Sequence, residues 1–228
     1  MRGNRRRGSR SDSVLVVGLG RFGSAVAQSL IEMGKEVLAI DENADLVQRW
    51  SAELTHTVQA DTTDEEALRQ LGAADYERAV VAIGTDVEAS VLTVLALSEA
   101  GVQEIWAKAI TAKHGLILER IGARHVVYPE RAMGQRVAHM IAGSMDDYLE
   151  FEGGYAMARI QAPIILWGVP LKDSAARRRY RVTVVGIKSP GEPFTYADNE
   201  TIVHEGDQLI ISGPVSYTHL TLPTNREV

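Results

Sequence analysis

Three glycines and an acid carry the first chemical signal in this chain. Gly18, Gly20 and Gly23 stand at the G-x-G-x-x-G spacing, and Asp41 follows 18 residues after the last. Glycine at the first position permits a tight strand-to-helix turn. At the second it lets phosphates approach bare backbone, and at the third it lets a helix pack close to a sheet. Free N–H groups and the positive dipole end of that helix attract phosphate oxygens. A carboxylate at Asp41 can accept both hydroxyls of an adenosine ribose, and its charge repels a 2′-phosphate. A glycine-rich turn that binds nothing would show the same three residues, so the context has to decide.

That context is a strand, a turn and a helix. Val14–Val17 is a short apolar run of the kind found in a buried parallel strand. Phe22, Val26 and Leu30 follow at helical spacing, and Gly34 is placed as a stop. A second strand, Glu36–Ile40, ends on Asp41. The alternation then continues. Asn43 caps a short helix carrying Leu46, Val47 and Trp50. Strands are predicted over His56–Ala60, Arg78–Ile83, Glu104–Lys108 and Arg124–Tyr128. Helices are predicted over Asp64–Leu71, Asp86–Ala100 and Thr111–Ile121, the second burying Val87, Val91, Val94, Leu95 and Ser98. This pattern predicts an α/β fold: a Rossmann-like, doubly wound parallel sheet of six strands in the order 3-2-1-4-5-6.

A further helix, Glu130–Met145, carries Met133, Val137, Met140 and Ile141 on one face. Beyond it the pattern turns β-rich. Strands are expected over Tyr155–Ala162, Val182–Ile187, Thr201–Val203 and Gln208–Ser212, with a short basic helix over Lys172–Tyr180. This is a small α+β module, marginal alone and helped by pairing with a second copy. The expected organisation is a disordered basic leader at 1–12, a nucleotide-binding domain at 13–145, a small C-terminal domain at 146–215 and a tail at 216–228. The tail, SYTHLTLPTNREV, has neither strand nor helix period and reads as a foreign or disordered end.

Composition narrows the classes. The chain has 228 residues, no cysteine and a net charge of −6. Disulfides and thiolate metal sites are excluded, and no apolar run approaches the ~20 residues of a membrane helix. The leader holds five arginines and one aspartate, so the rest of the chain is more acidic than the whole. A body that acidic is a poor match for nucleic acid. The six histidines are scattered without metal-ligand spacing.

Four stretches resemble the RCK (TrkA-type) family of cytosolic regulatory subunits of Trk/Ktr potassium uptake systems. They are VGLGRFG at 17–23, QADTTDEEALRQLG at 59–72, IGARHVVYPERAMGQ at 121–135, and residues 168–187 followed by EGDQLIISG at 205–213. The first is shared with many NAD enzymes. The Tyr128-Pro129-Glu130 corner and the second module are more specific. The resemblance implies an N-terminal RCK domain and a C-terminal RCK_C domain, and it covers about 14–213.

The resemblance places an adenine nucleotide, ATP/ADP or NAD(H), against Gly18, Gly20, Arg21, Phe22 and Gly23. Arg21 would point at terminal phosphates, where a guanidinium makes bidentate bonds. Asp41 would hold the ribose and Asp61 would sit near the adenine nucleoside, although Ala60 stands where the family often has glycine. Lys108 ends the fifth strand, and reads either as a cleft residue or as a solvated strand end. Glu130 matches a position that takes part in divalent-cation binding in some members; a helix N-terminal acid favoured by the dipole is its other reading. In some members paired RCK_C domains bind cyclic di-AMP. Arg177, Arg178, Arg179 and His204 could serve such an anion, or form a solvated basic face.

The expected role is a switch and not an enzyme. Subunits would form dimers and then an octameric ring docked on a membrane-embedded potassium translocating subunit, in the cytoplasm at the inner face of the plasma membrane. The rivals are an NAD-dependent oxidoreductase and a stand-alone nucleotide or cyclic di-AMP sensor. The oxidoreductase needs a proton donor or base and a substrate pocket, and the chain has no Tyr-x-x-x-Lys pair and no inserted substrate domain.

Overall fold

A computed structural model describes residues 12–142 and 145–215. The expected leader, apart from Asp12, and the expected tail lie outside the described residues, as do Gly143 and Ser144. The chain divides into two compact units between Glu130 and Arg131.

The first unit is built on β1 (Ser13–Val17), β2 (Glu36–Asp41), β3 (His56–Gln59), β4 (Arg78–Val81), β5 (Glu104–Lys108) and β6 (His125–Val127). They form one parallel sheet in the order β3-β2-β1-β4-β5-β6. Every residue of β1 is buried. Leu15 and Val17 face one core, and Val14 and Val16 face the other. Burial on both faces explains why the strand reads as an unbroken apolar run. The intervening helices are α1 (Arg21–Glu32), α2 (Ala44–Trp50), α3 (Glu65–Gln70), α4 (Val87–Glu99) and α5 (Ala112–Arg120). Ala27 of α1 packs in the core that holds Val14 and Val16, with Leu46 and Trp50 of α2 against it. Leu68, Leu97 and Leu118, from α3, α4 and α5, pack on the opposite face. The strand order reverses between β1 and β4, and a doubly wound sheet binds ligands at such a point.

One helix face and one helix end differ from expectation. The buried side of α4 is Ser90, Thr93, Val94, Ala96 and Leu97, while Val87 and Leu95 are exposed. The Thr93 hydroxyl pairs with that of Thr62 at 2.9 Å, which lets a polar side chain go inside. The second helix, α6 (Pro129–Ala142), ends before Met145. Its Met133, Val137 and Ile141 are 54%, 39% and 81% exposed, so this stripe is not core within the chain.

The second unit holds a sheet of β7 (Met145–Phe151), β8 (Tyr155–Gln161), β9 (Thr183–Lys188), β10 (Thr195–Tyr196) and β11 (Gln208–Pro214). Its order is β10-β9-β11-β8-β7, all antiparallel. Alternate residues of β8 (Ala156, Ala158, Ile160) meet Leu209 and Ile211 of β11 in one core. Met145, expected in a helix, is the first residue of β7. The expected strand at Thr201–Val203 is reduced to isolated bridges at Ile202 and Val203. The basic helix is only α7 (Ala176–Tyr180). Both of its flanking residues, Ala175 (φ 53°) and Arg181 (φ 52°), occupy the left-handed region, a strained setting for side chains with a Cβ.

Candidate functional site

The site is assembled at the C-terminal end of β1. Gly18 leaves the strand with φ 93°, which a residue with a side chain adopts only under strain. Its N–H donates to the Ile40 carbonyl at 2.8 Å, holding the turn against β2. A Cβ at Gly23 would collide with the Gly18 carbonyl and come within 2.8 Å of the Ala82 Cβ, so only glycine lets α1 start this close to the sheet. Gly20 is different: nothing lies within 4 Å of where its Cβ would be, and its φ is −63°. The fold does not demand glycine there, and a bare backbone facing open space is what an approaching phosphate requires.

The start of α1 stands apart from the other helices of the unit. Asn43, Asp64, Asp86 and Thr111 cap α2, α3, α4 and α5 through their side chains. Gly20 provides no side-chain cap to α1, and its first turn holds no acid. The first-turn N–H groups of a helix without a cap, at the positive end of its dipole, favour an anion. Arg21 is the first residue of α1 and is exposed.

Asp41 closes the other side. Its Oδ2 accepts from the Leu19 N–H at 2.6 Å and its Oδ1 from the Asn43 N–H at 2.8 Å. Each carboxylate oxygen keeps a second lone pair for a hydroxyl donor. Asp61 lies just after β3, where the Ala60 N–H donates to the Asp41 carbonyl at 3.2 Å. Its carboxylate accepts from the Thr63 hydroxyl at 2.7 Å and the Thr63 N–H at 2.9 Å, and these bonds hold it below the usual carboxylate range.

Lys108 lies at the mouth of the same turn. Its ammonium is 5.8 Å from the Phe22 ring centroid and pairs with Glu130 Oε1 at 2.6 Å. The Glu130 carboxyl is held low, chiefly by the hydrogen bond from Lys108, with a smaller contribution from the charge of Arg21. Lys108 is thus no solvated strand end, because its side chain is only 11% exposed. Its pairing with Glu130 is not visible in sequence, because the residues are 22 apart and meet through the pairing of β5 with β6, where Lys108 lies opposite Val127 three residues before Glu130. Glu130 has an ammonium against its carboxylate, which opposes a second cation. Among the described residues no three His, Cys, Asp or Glu side chains gather as metal ligands.

The second unit contains a cavity of about 670 Å³ lined in part by Lys172, Arg177, Arg178, Thr183, Asp198 and Asn199. Arg177 Nε donates to the Thr183 hydroxyl at 3.3 Å. Arg179 instead stands over the Tyr180 ring at 5.4 Å, and His204 donates its backbone N–H to Asp207. Of the four residues expected to serve an anion, Arg177 and Arg178 line this cavity and the other two do not.

With this geometry in place, comparison with known proteins gives a consistent pattern. The profile of the TrkA-N domain family matches residues 14–129. The Ktr system potassium uptake protein C of Bacillus subtilis (strain 168) is 38% identical over 202 residues, 88% of this chain and 91% of that protein. The Ktr system potassium uptake protein A of Vibrio alginolyticus is 38% identical over 200 residues, covering 87% of this chain and 91% of that one. Among solved structures, a GsuK channel bound to NAD superposes with a TM-score of 0.64 at 19% identity, over 96% of this chain and 39% of that one. That likeness is one of fold, and this chain spans about two fifths of the channel's length. Among the described residues no helix is long and apolar enough to cross a membrane.

Proposed function

The chain belongs to the TrkA-N domain family, and from that membership we propose that it is the regulatory, nucleotide-binding subunit of a Ktr-type potassium uptake system. The likeness to Ktr proteins over about nine tenths of their length sets the process. The observation that carries the ligand is the start of α1, which has no side-chain cap and lies across the turn from Asp41. In this reading an adenine nucleotide, ATP/ADP or NAD(H), lays its phosphates on the Gly18–Gly23 turn and its ribose on Asp41. Lys108 and Phe22 border the phosphates, and Asp61 lies toward the nucleoside. A bound NAD in the GsuK channel supports nucleotide occupancy of this fold.

The subunit acts as a switch. It docks at the cytoplasmic face on a membrane-embedded partner, as dimers assembled into a ring, and the nucleotide biases that assembly between two shapes. A ligand can do so only through different affinities for the two. Arg21, exposed at the first position of α1, supplies the difference by meeting a terminal phosphate that ADP lacks. The domains of this reading are 13–145 and 146–215. A divalent cation at Glu130 would need further ligands, because among the described residues no three His, Cys, Asp or Glu side chains gather there. A second ligand is favoured by the cavity in the C-terminal unit, where Arg177 and Arg178 stand among Asp173, Asp198 and a Lys172 paired with Glu200; the two arginines suit the phosphates of cyclic di-AMP.

The experiment is nucleotide titration of the purified chain with its membrane partner, followed by potassium flux in vesicles. ATP and ADP should bind and should differ in flux. Arg21→Ala should erase that difference while retaining ADP binding. An Arg21→Ala protein that still separates ATP from ADP in both measurements would sink the assignment. Hydride transfer to a small substrate would favour the oxidoreductase reading.

A further inference from the structure

Lys108 and Glu130 form an unequal pair. The lysine side chain is 11% exposed and the glutamate 66%. The ammonium lies 5.8 Å from the Phe22 ring centroid and next to Gly84, where an added Cβ would lie 3.0 Å from Nζ. Phe22 is the second residue of α1, the helix whose first-turn N–H groups would receive phosphate. Glu130 comes from a different element, as the second residue of α6.

Separating the two has unequal costs. An enclosed ammonium without a partner is expensive, whereas an exposed carboxylate returns to water cheaply. The pair is therefore easily broken by anything that brings Lys108 another anion, and hard to break otherwise. Arg21 adds a second positive charge within electrostatic range of Glu130. The cleft mouth thus holds two cations and one carboxylate, which suits an incoming anion.

We propose that Lys108 is an exchangeable phosphate ligand, held by Glu130 until a terminal phosphate of a nucleoside di- or triphosphate in the Gly18 cleft takes the carboxylate's place. The inference rests on the nucleotide reading above. The exchange keeps Lys108 paired throughout and frees a carboxylate in the first turn of α6. Ligands too short to reach Lys108 leave the pair intact. Phosphate number is thereby converted into the state of one α6 side chain, independently of what Arg21 contacts.

The test is calorimetric titration of the full chain with ATP, ADP and adenosine in EDTA, so that no divalent cation occupies Glu130. The proteins are wild type, Glu130→Gln, Lys108→Met and the double variant. Glu130→Gln removes the competitor and should bind ATP and ADP about fivefold more tightly, with adenosine unchanged. Lys108→Met should weaken ATP and ADP about tenfold. In its background Glu130→Gln should have no effect. If Lys108→Met does not fold by circular dichroism, Lys108→Arg replaces it and should preserve the Glu130→Gln gain. Wild-type binding with no gain in Glu130→Gln, or an equal gain for adenosine, overturns the exchange alone. Wild-type protein that binds none of the three overturns the nucleotide reading and the exchange with it.

Discussion

The Leu19 backbone N–H donates to Asp41 Oδ2 at 2.6 Å, across 22 residues of sequence. One carboxylate therefore pins the glycine turn to the end of β2, and in the proposed reading its remaining lone pairs receive a ribose. Asp41→Ala should lower the affinity for adenosine at least about tenfold and cost about 1–2 kcal/mol of stability. Asp41→Asn retains one acceptor oxygen and should fall between. Calorimetry and denaturant unfolding check the two effects separately. An Asp41→Ala protein with unchanged adenosine affinity would remove the ribose from this site.

Gly20 and Gly23 are expected to part company on substitution. Gly20→Ala meets nothing within 4 Å and keeps φ at −63°, so its melting temperature should stay within a degree or so of wild type. Its methyl group should nonetheless weaken ATP and ADP binding, because in the proposed reading it stands where phosphate approaches. Gly23→Ala must push the Gly18 carbonyl away, and overpacking of this kind costs about 1–3 kcal/mol. Loss of stability in both variants, or in neither, would contradict this division of roles.

His114 gives the first unit a pH dependence. It is 3% exposed, its Nδ1 faces the Ile110 N–H at 3.5 Å, and its Nε2 is buried with no partner among the described residues. Burial lowers its pKa below the ordinary imidazole value of 6.5. The unfolded chain therefore binds the proton first. The stability this provides is complete above pH 6.5 and is lost as pH falls from there toward the lowered native value. Urea unfolding at pH 7.5 and pH 5 should show the loss, and His114→Asn should reduce it. An identical pH slope in the variant would assign the dependence to other groups.

Periodic apolar runs made the parallel strands legible, because β1, β2, β4 and β5 are buried on at least one face, and the order followed from the alternation of strands with helices. Apolar spacing alone does not locate the buried face of α4, because Ser90 and Thr93 go inside. The strand β7 (MDDYLEF) escaped notice because only Met145 and Tyr148 of its seven residues are buried, and its place is set by pairing with β8. The constraint on Gly18 was readable because it belongs to the turn that ends β1. The Lys108–Glu130 pair was not, because it exists only once β5 pairs with β6.

The cavity in the second unit separates neighbouring arginines that the sequence could not rank. Arg178 lines it with Lys172, whereas Arg179 is held over Tyr180. If cyclic di-AMP binds there, a concentration about 100 times its Kd stabilises the unit by about 2.7 kcal/mol, enough for a clear thermal shift. Arg178→Ala should abolish most of that shift, and Arg179→Ala should leave it near wild type. The comparison is internal, since both substitutions remove one charge from the same five-residue helix and disturb its strained ends alike. Equal losses in the two variants would mean that net positive charge attracts the ligand and that the cavity does not select it. No shift in the wild-type protein would return α7 to a solvated basic face.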